Sequence, residues 1–84
     1  MDMLCAKIDV IICAMQQSRL TPRQIAEKSG VNVNIVYRMR KGFLVQMERF
    51  EKVCLTLEID CNDVIDFERV EAYREQLLQR GMIN

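Results

Sequence analysis

Histidine and tryptophan are absent from the 84 residues, proline occurs once, glycine three times, tyrosine twice and phenylalanine three times. Without histidine, the side chain that most often serves as general base and as zinc ligand is missing. No glycine-rich phosphate loop and no clustered nucleophile and base occur either, so nothing is offered from which to assemble an enzyme active site, and no cofactor is called for. Few glycines and prolines leave little turn chemistry for hairpins, and sustained alternation of the strand type is lacking. No stretch approaches the ~20 apolar residues of a membrane span, so no membrane partner is expected. The apolar opening from Met3 to Met15 carries Lys7 and Asp9 and has no small-residue cleavage site, and it does not read as a signal peptide.

Half of the residues are hydrophobic. With so few aromatics, the core must be built from Ile, Val, Leu and Met, which suits a bundle of helices. One small all-α domain is expected, of a size at which burial only just suffices to fold the chain. The cysteines are Cys5, Cys13, Cys54 and Cys61. Their spacings fit no paired Cys-x-x-Cys arrangement, so no metal is expected. They read as small hydrophobes in a reducing cytoplasm, with a redox-sensing thiol as the alternative.

The formal charge is zero, but its distribution is uneven. Between Arg19 and Lys52 eight basic residues (Arg19, Arg23, Lys28, Arg38, Arg40, Lys41, Arg49, Lys52) face three acidic ones (Glu27, Glu48, Glu51), a local net of +5. From Val53 onward seven acidic residues oppose three basic ones, a net of −4. Such polarisation orients a protein on a phosphate backbone even when the total charge is nil.

The positive part coincides with the most structured signal in the chain, Thr21 to Gly42. Thr21 caps a helix, Pro22 suits its first position, and Gln24 completes a Thr-x-x-Gln capping box. Ile25 and Ala26 face inward while Arg23, Gln24, Glu27 and Lys28 are polar. Gly30 stops that helix, Val31 turns back to the core, and Asn32 caps a second helix reaching about Lys41, with Gly42 ending it. Within it Val36 and Met39 share the inner face, and Val33, Asn34, Tyr37, Arg38 and Lys41 fall on the other side. An amide, a phenol and two cations are groups that bond base edges and phosphates when a helix lies in the major groove.

Around this unit the remaining segments read as support. A first helix is expected from about Met3 to Ser18, with Leu4, Ile8, Ile11, Ile12 and Met15 on one broad face that Val10 and Cys13 widen, a hint that the C-terminal tail covers part of it. Leu20 packs before the Thr21 cap. A fourth helix from about Met47 to Leu57 buries Met47, Phe50, Val53, Cys54 and Leu57, with Glu58 standing where glycine would end it. Asp60 caps a fifth helix to which Val64, Ile65 and Phe67 give apolar contacts. Val70, Tyr73, Leu77 and Leu78 then mark a last helix ending at Gly81, which either folds over the first helix or pairs with a second subunit.

These residues resemble a known family, the phage repressor and Cro type of helix-turn-helix regulator, also called the xenobiotic response element family. The resemblance covers roughly residues 4 to 67. It rests on Leu20-Thr21-x-x-x-Ile25-Ala26-x-x-x-Gly30-Val31 and on Met47-x-x-Phe50-x-x-Val53-Cys54-x-x-Leu57 followed by Asp63-Val64-Ile65. It implies a compact five-helix repressor-like bundle over residues 1–67 with an extended C-terminal helix at 68–84. It also implies bacterial or phage origin, and a recognition helix after the glycine turn. Base-contacting roles then fall on Val33, Asn34, Tyr37 and Arg38, and backbone-contacting roles on Arg23, Lys28, Asn32, Arg40 and Lys41. The chain departs from the pattern at Pro22, where many members carry a phosphate donor, and at Phe43-Leu44-Val45, where a polar loop is usual.

Two functions follow as expectations. The first is a cytoplasmic, sequence-specific regulator of transcription on double-stranded DNA, a repressor, working as a homodimer through the C-terminal helix or the 43–45 loop. The second is a protein-interaction module or antitoxin-like partner that keeps the fold without binding DNA, motivated by that apolar loop.

Overall fold

The computed structural model describes residues 2–83, with side chains for residues 2–78. The elements follow one another as β1 (Met3–Leu4), α1 (Ile8–Ser18), α2 (Pro22–Ser29), α3 (Val33–Arg40), β2 (Val45–Gln46), α4 (Met47–Thr56), α5 (Cys61–Val64) and α6 (Phe67–Ile83). The architecture is all-α apart from one short antiparallel ribbon of β1 and β2.

Local chemistry sets most helix ends. Thr21 Oγ1 accepts from the Gln24 N–H at 3.2 Å while Gln24 Oε1 accepts from the Thr21 N–H at 2.9 Å, so the capping box forms in both directions. Gly30, at φ +74°, closes α2, and Asn32 opens α3 by accepting from the Asn34 N–H at 2.9 Å. Asp60 caps α5 through the Asn62 N–H, and Asp66 caps α6 through the Arg69 N–H. Two helices end on left-handed residues that are not glycine, Arg19 at φ 60° and Glu58 at φ 57°.

The core gathers around Phe50, with Ile11, Ile25, Val36, Met39 and Val53 also fully buried. Each such side chain contributes roughly 1.5–3 kcal/mol by leaving water. The consequence is that α1, α2 and α4 form a fixed seat for α3.

The chain begins differently from the sequence expectation. Helix α1 starts at Ile8, not near Met3, because residues 2–7 run extended and are bonded on two sides. On one side Met3 pairs with Gln46 and Leu4 with Val45, and the Met47 N–H donates to the Asp2 carbonyl. On the other the Lys7 N–H donates to Val64, and the Asp66 N–H to Cys5, at 2.7 and 2.9 Å. A helix there would satisfy only its own backbone. The extended strap also joins β2 to the α5–α6 junction and leaves Cys5 and Ala6 fully buried.

Two further expectations are corrected. Val10 and Cys13 are not covered by the tail; they border an open groove with Ile59 and Val64. Helix α6 takes in Phe67 at its start and continues through Gly81 to Ile83, so Gly81 does not end it. Its first turns lie against β1, where Val70 is buried, and it does not run along α1.

Candidate nucleic-acid interface

Between α2 and α3 the turn spans Gly30 to Asn32, and the N–H groups of Gly30 and Val31 both donate to the Ala26 carbonyl, at 2.9 and 3.1 Å. Val31 packs against the core. Val36 and Met39 are fully buried and Ile35 is half-buried, which turns the opposite side of α3 outward. Asn34, Tyr37 and Lys41, spaced by three and four residues, line that outer side and are exposed. The Asn34 side-chain amide has no hydrogen-bond partner among the described residues, whereas its N–H is taken by the Asn32 cap.

Arg38 is placed differently. Its Nε and Nη2 donate to the Leu44 carbonyl at 3.2 and 2.9 Å, and its guanidinium lies 5.5 Å from the centroid of the Phe43 ring. Below it the helix closes with the Gly42 N–H donating to Met39 and the Phe43 N–H to Arg38, the crossed pair of bonds of a left-handed glycine ending. Gly42 has φ +73°, and a Cβ there would meet Arg69 Nη1 at 2.6 Å and Ile8 Cγ1 at 3.1 Å. The end of α3 is thus clamped from its own side chain and from α6. Sequence reasoning missed this, because the partner of Arg38 is a backbone carbonyl that becomes available only when β2 fixes the loop.

The other named positions divide. Arg23 and Asn32 are exposed at the starts of α2 and α3. Val33 is half-buried and packs against the core, with part of its surface left outside. Arg40 borders a hollow with Leu20, Pro22 and Ile25, on the flank facing α2. Lys28 borders a different hollow with Gln17, Ser18 and Glu58, at the ends of α1 and α4. The apolar loop is largely consumed by the fold: Val45 is buried, Leu44 is half-buried, and Phe43 alone stands out at 43 %.

Of the four free thiols, Cys5 and Cys54 are buried, and burial pushes both above the ordinary thiol value. Cys61 adds to the shift at Cys54 by hydrogen bonding, and Asp66 adds to that at Cys5 while Arg69 opposes it.

Two short helices held by a glycine turn, the second presenting an amide, a phenol and a cation outward, define a helix-turn-helix DNA-binding domain. Residues 11–69 match the model of the Cro/C1-type HTH DNA-binding domain, and the chain belongs to that family. No curated protein and no solved structure matches it. Among the described residues no helix is long and apolar enough to cross a membrane.

Proposed function

We propose that the protein is a cytoplasmic, sequence-specific regulator of transcription that lays α3 in the major groove of double-stranded DNA. It acts most simply as a repressor, since occupying a promoter needs no further surface. The observation that carries this reading is the outward row of Asn34, Tyr37 and Lys41 on a helix whose opposite face is buried. Asn34 is suited to pair with adenine through its amide, and the free part of Val33 to touch a thymine methyl, at roughly 1–3 kcal/mol of discrimination for a good bidentate contact. Tyr37 reaches base or sugar. Arg23, Asn32, Arg40 and Lys41 hold phosphates, supplying affinity and register. Lys28, exposed near the end of α2, adds a further cation to this set.

Arg38 is assigned to positioning. Reading guanine would require giving up both bonds to Leu44 and the contact with Phe43. The protein works as a homodimer, because one recognition helix contacts few bases and a two-fold pair places two of them about 34 Å apart on successive major grooves.

Selection of bound sequences from a random duplex pool tests the reading. A palindrome with half-sites one helical turn apart is expected. No enriched motif, together with no binding to mixed duplex at low salt, would sink it and leave the protein-partner alternative standing.

A further inference from the structure

Between α1 and the connection from α4 to α5 lies an open groove of about 590 Å³. Val10, Cys13 and Gln17, spaced by three and four residues, form its wall along α1, and all three are exposed. Ala14 and Val64 make a buried floor, with half-buried Ile59 beside it. The strip of Val10, Cys13 and Ile59 thus leaves apolar surface in contact with water.

The rim is of one sign. Asp9 stands in the first turn of α1, Glu58 and Asp60 on the connection, and Asp63 in the first turn of α5, and among the described residues no lysine or arginine lines the groove. Lys28 borders only the adjoining hollow, at its Glu58 end. None of the four carboxylates is in an ion pair among the described residues, where the pairs join Lys52 to Glu48 and Arg74 to Glu71. Four like charges around an apolar strip set up a field that a cation relieves.

We propose that this groove docks a basic amphipathic helix of another protein, whose apolar side chains lie on Val10, Cys13, Ile59 and Val64 while its lysines and arginines meet the four carboxylates. Charge complementarity selects that occupant, since nucleic acid and acidic segments are repelled. A second copy of this chain fits poorly. Helix α3 buries its own apolar face, and near Leu77 and Leu78 on α6 the charges are mixed, Glu71 and Glu75 with Arg74. From Asp9 to Gln17 the wall runs about 12 Å at 1.5 Å per residue, the reach of about two turns of a docked helix with anchors three and four residues apart. The site is separate from α3, because α5 packs on α1 and α4 and not on α3. The proposal therefore stands whether or not α3 binds DNA.

A synthetic leucine–lysine helix of about 18 residues, long enough to hold its fold, is the probe, with its leucine–glutamate counterpart as control. Titrated against the full chain by fluorescence anisotropy, the lysine peptide should bind and the glutamate peptide should not. At saturation it should slow the alkylation of Cys13 by iodoacetamide several-fold, followed at that residue by mass spectrometry. Asp9→Asn with Asp63→Asn should weaken binding roughly tenfold, as the loss of two exposed charge pairs does. Glu71→Gln with Glu75→Gln, the same charge removed from α6, should leave it unchanged. All four positions are exposed, so both variants should keep the wild-type helical content. No binding of the lysine peptide, alkylation of Cys13 at the same rate in its presence, or equal losses from the two double variants would overturn the proposal. Protection of Cys13 by benzylamine as strong as that by the peptide at equal concentration would also overturn it, and would make the groove a site for small cations.

Discussion

Arg38 and Leu44 are joined across the end of α3 by two hydrogen bonds to one carbonyl, at 2.9 and 3.2 Å, with the Phe43 ring beneath the guanidinium. Leu44 belongs to the segment that enters β2, and β2 pairs with the N-terminal strand. The side chain therefore ties the last turn of α3 to the ribbon, and through the ribbon to the start of α6.

If Arg38 positions the loop, Arg38→Ala should lower affinity by a similar factor on the selected duplex and on unrelated duplexes. Arg38→Lys should resemble it, since one ammonium cannot reproduce the planar fork. Affinities measured on the two duplexes check this. A loss confined to substitutions at one G·C pair would show instead that Arg38 reads guanine.

Asn34 and Lys41 should separate in the opposite sense. Asn34→Ala is expected to cost roughly 1–3 kcal/mol on the selected site, relax preference at one A·T pair and leave unrelated duplex binding nearly unchanged. Lys41→Ala should weaken all duplexes alike and reduce the slope of log affinity against log salt by about one unit. Titrations at several salt concentrations give both quantities, and identical behaviour of the two variants would contradict the division of roles.

What was legible in the sequence was local. Thr21 with Gln24, Gly30, Asn32, Gly42 and Asp60 each fix a helix end through bonds reaching only a few residues, and each stands where its residue type predicts. The buried face of α3 follows from the spacing of Val36 and Met39. The start of the chain was not legible, because Met3 to Lys7 becomes extended only through pairing with residues more than forty positions away. Apolar spacing across Leu4, Ile8 and Ile11 reads equally well as a helix. At Arg38 exposure and charge were legible, while its two bonds to the Leu44 carbonyl were not, because they depend on the loop that β2 fixes.

Glu58 offers a test of the backbone. It holds φ 57° at the end of α4, with its N–H on the Leu55 carbonyl and the Ile59 N–H on Cys54. An L residue bears a cost there that glycine avoids, so Glu58→Gly should stabilise the protein by about 0.5–1 kcal/mol. Gly42→Ala should do the reverse by about 1–2 kcal/mol, since an L residue is strained at φ +73° and its Cβ would press on Ile8 Cγ1 at 3.1 Å. For a domain of this size a change of 1 kcal/mol moves the melting temperature by roughly 4–8 °C. Thermal melts showing no rise for the first or no fall for the second would refute these assignments.

Alkaline pH should weaken the fold through Cys5 and Cys54. Both are almost fully buried, and burial is the first cause holding their thiols above the ordinary value. A raised native value means that the folded chain keeps protons that the unfolded chain releases above about pH 8.5. The stabilisation is therefore complete below that pH and is lost as pH rises, at up to about 1.4 kcal/mol per unit for each thiol. Urea midpoints between about pH 7 and pH 9.5 should fall accordingly. Replacing the Cys54 thiol by a methyl-bearing side chain, Cys54→Val, should reduce that slope, because the largest single shift is removed. An unchanged slope in Cys54→Val would mean that the loss of stability comes from groups other than this thiol.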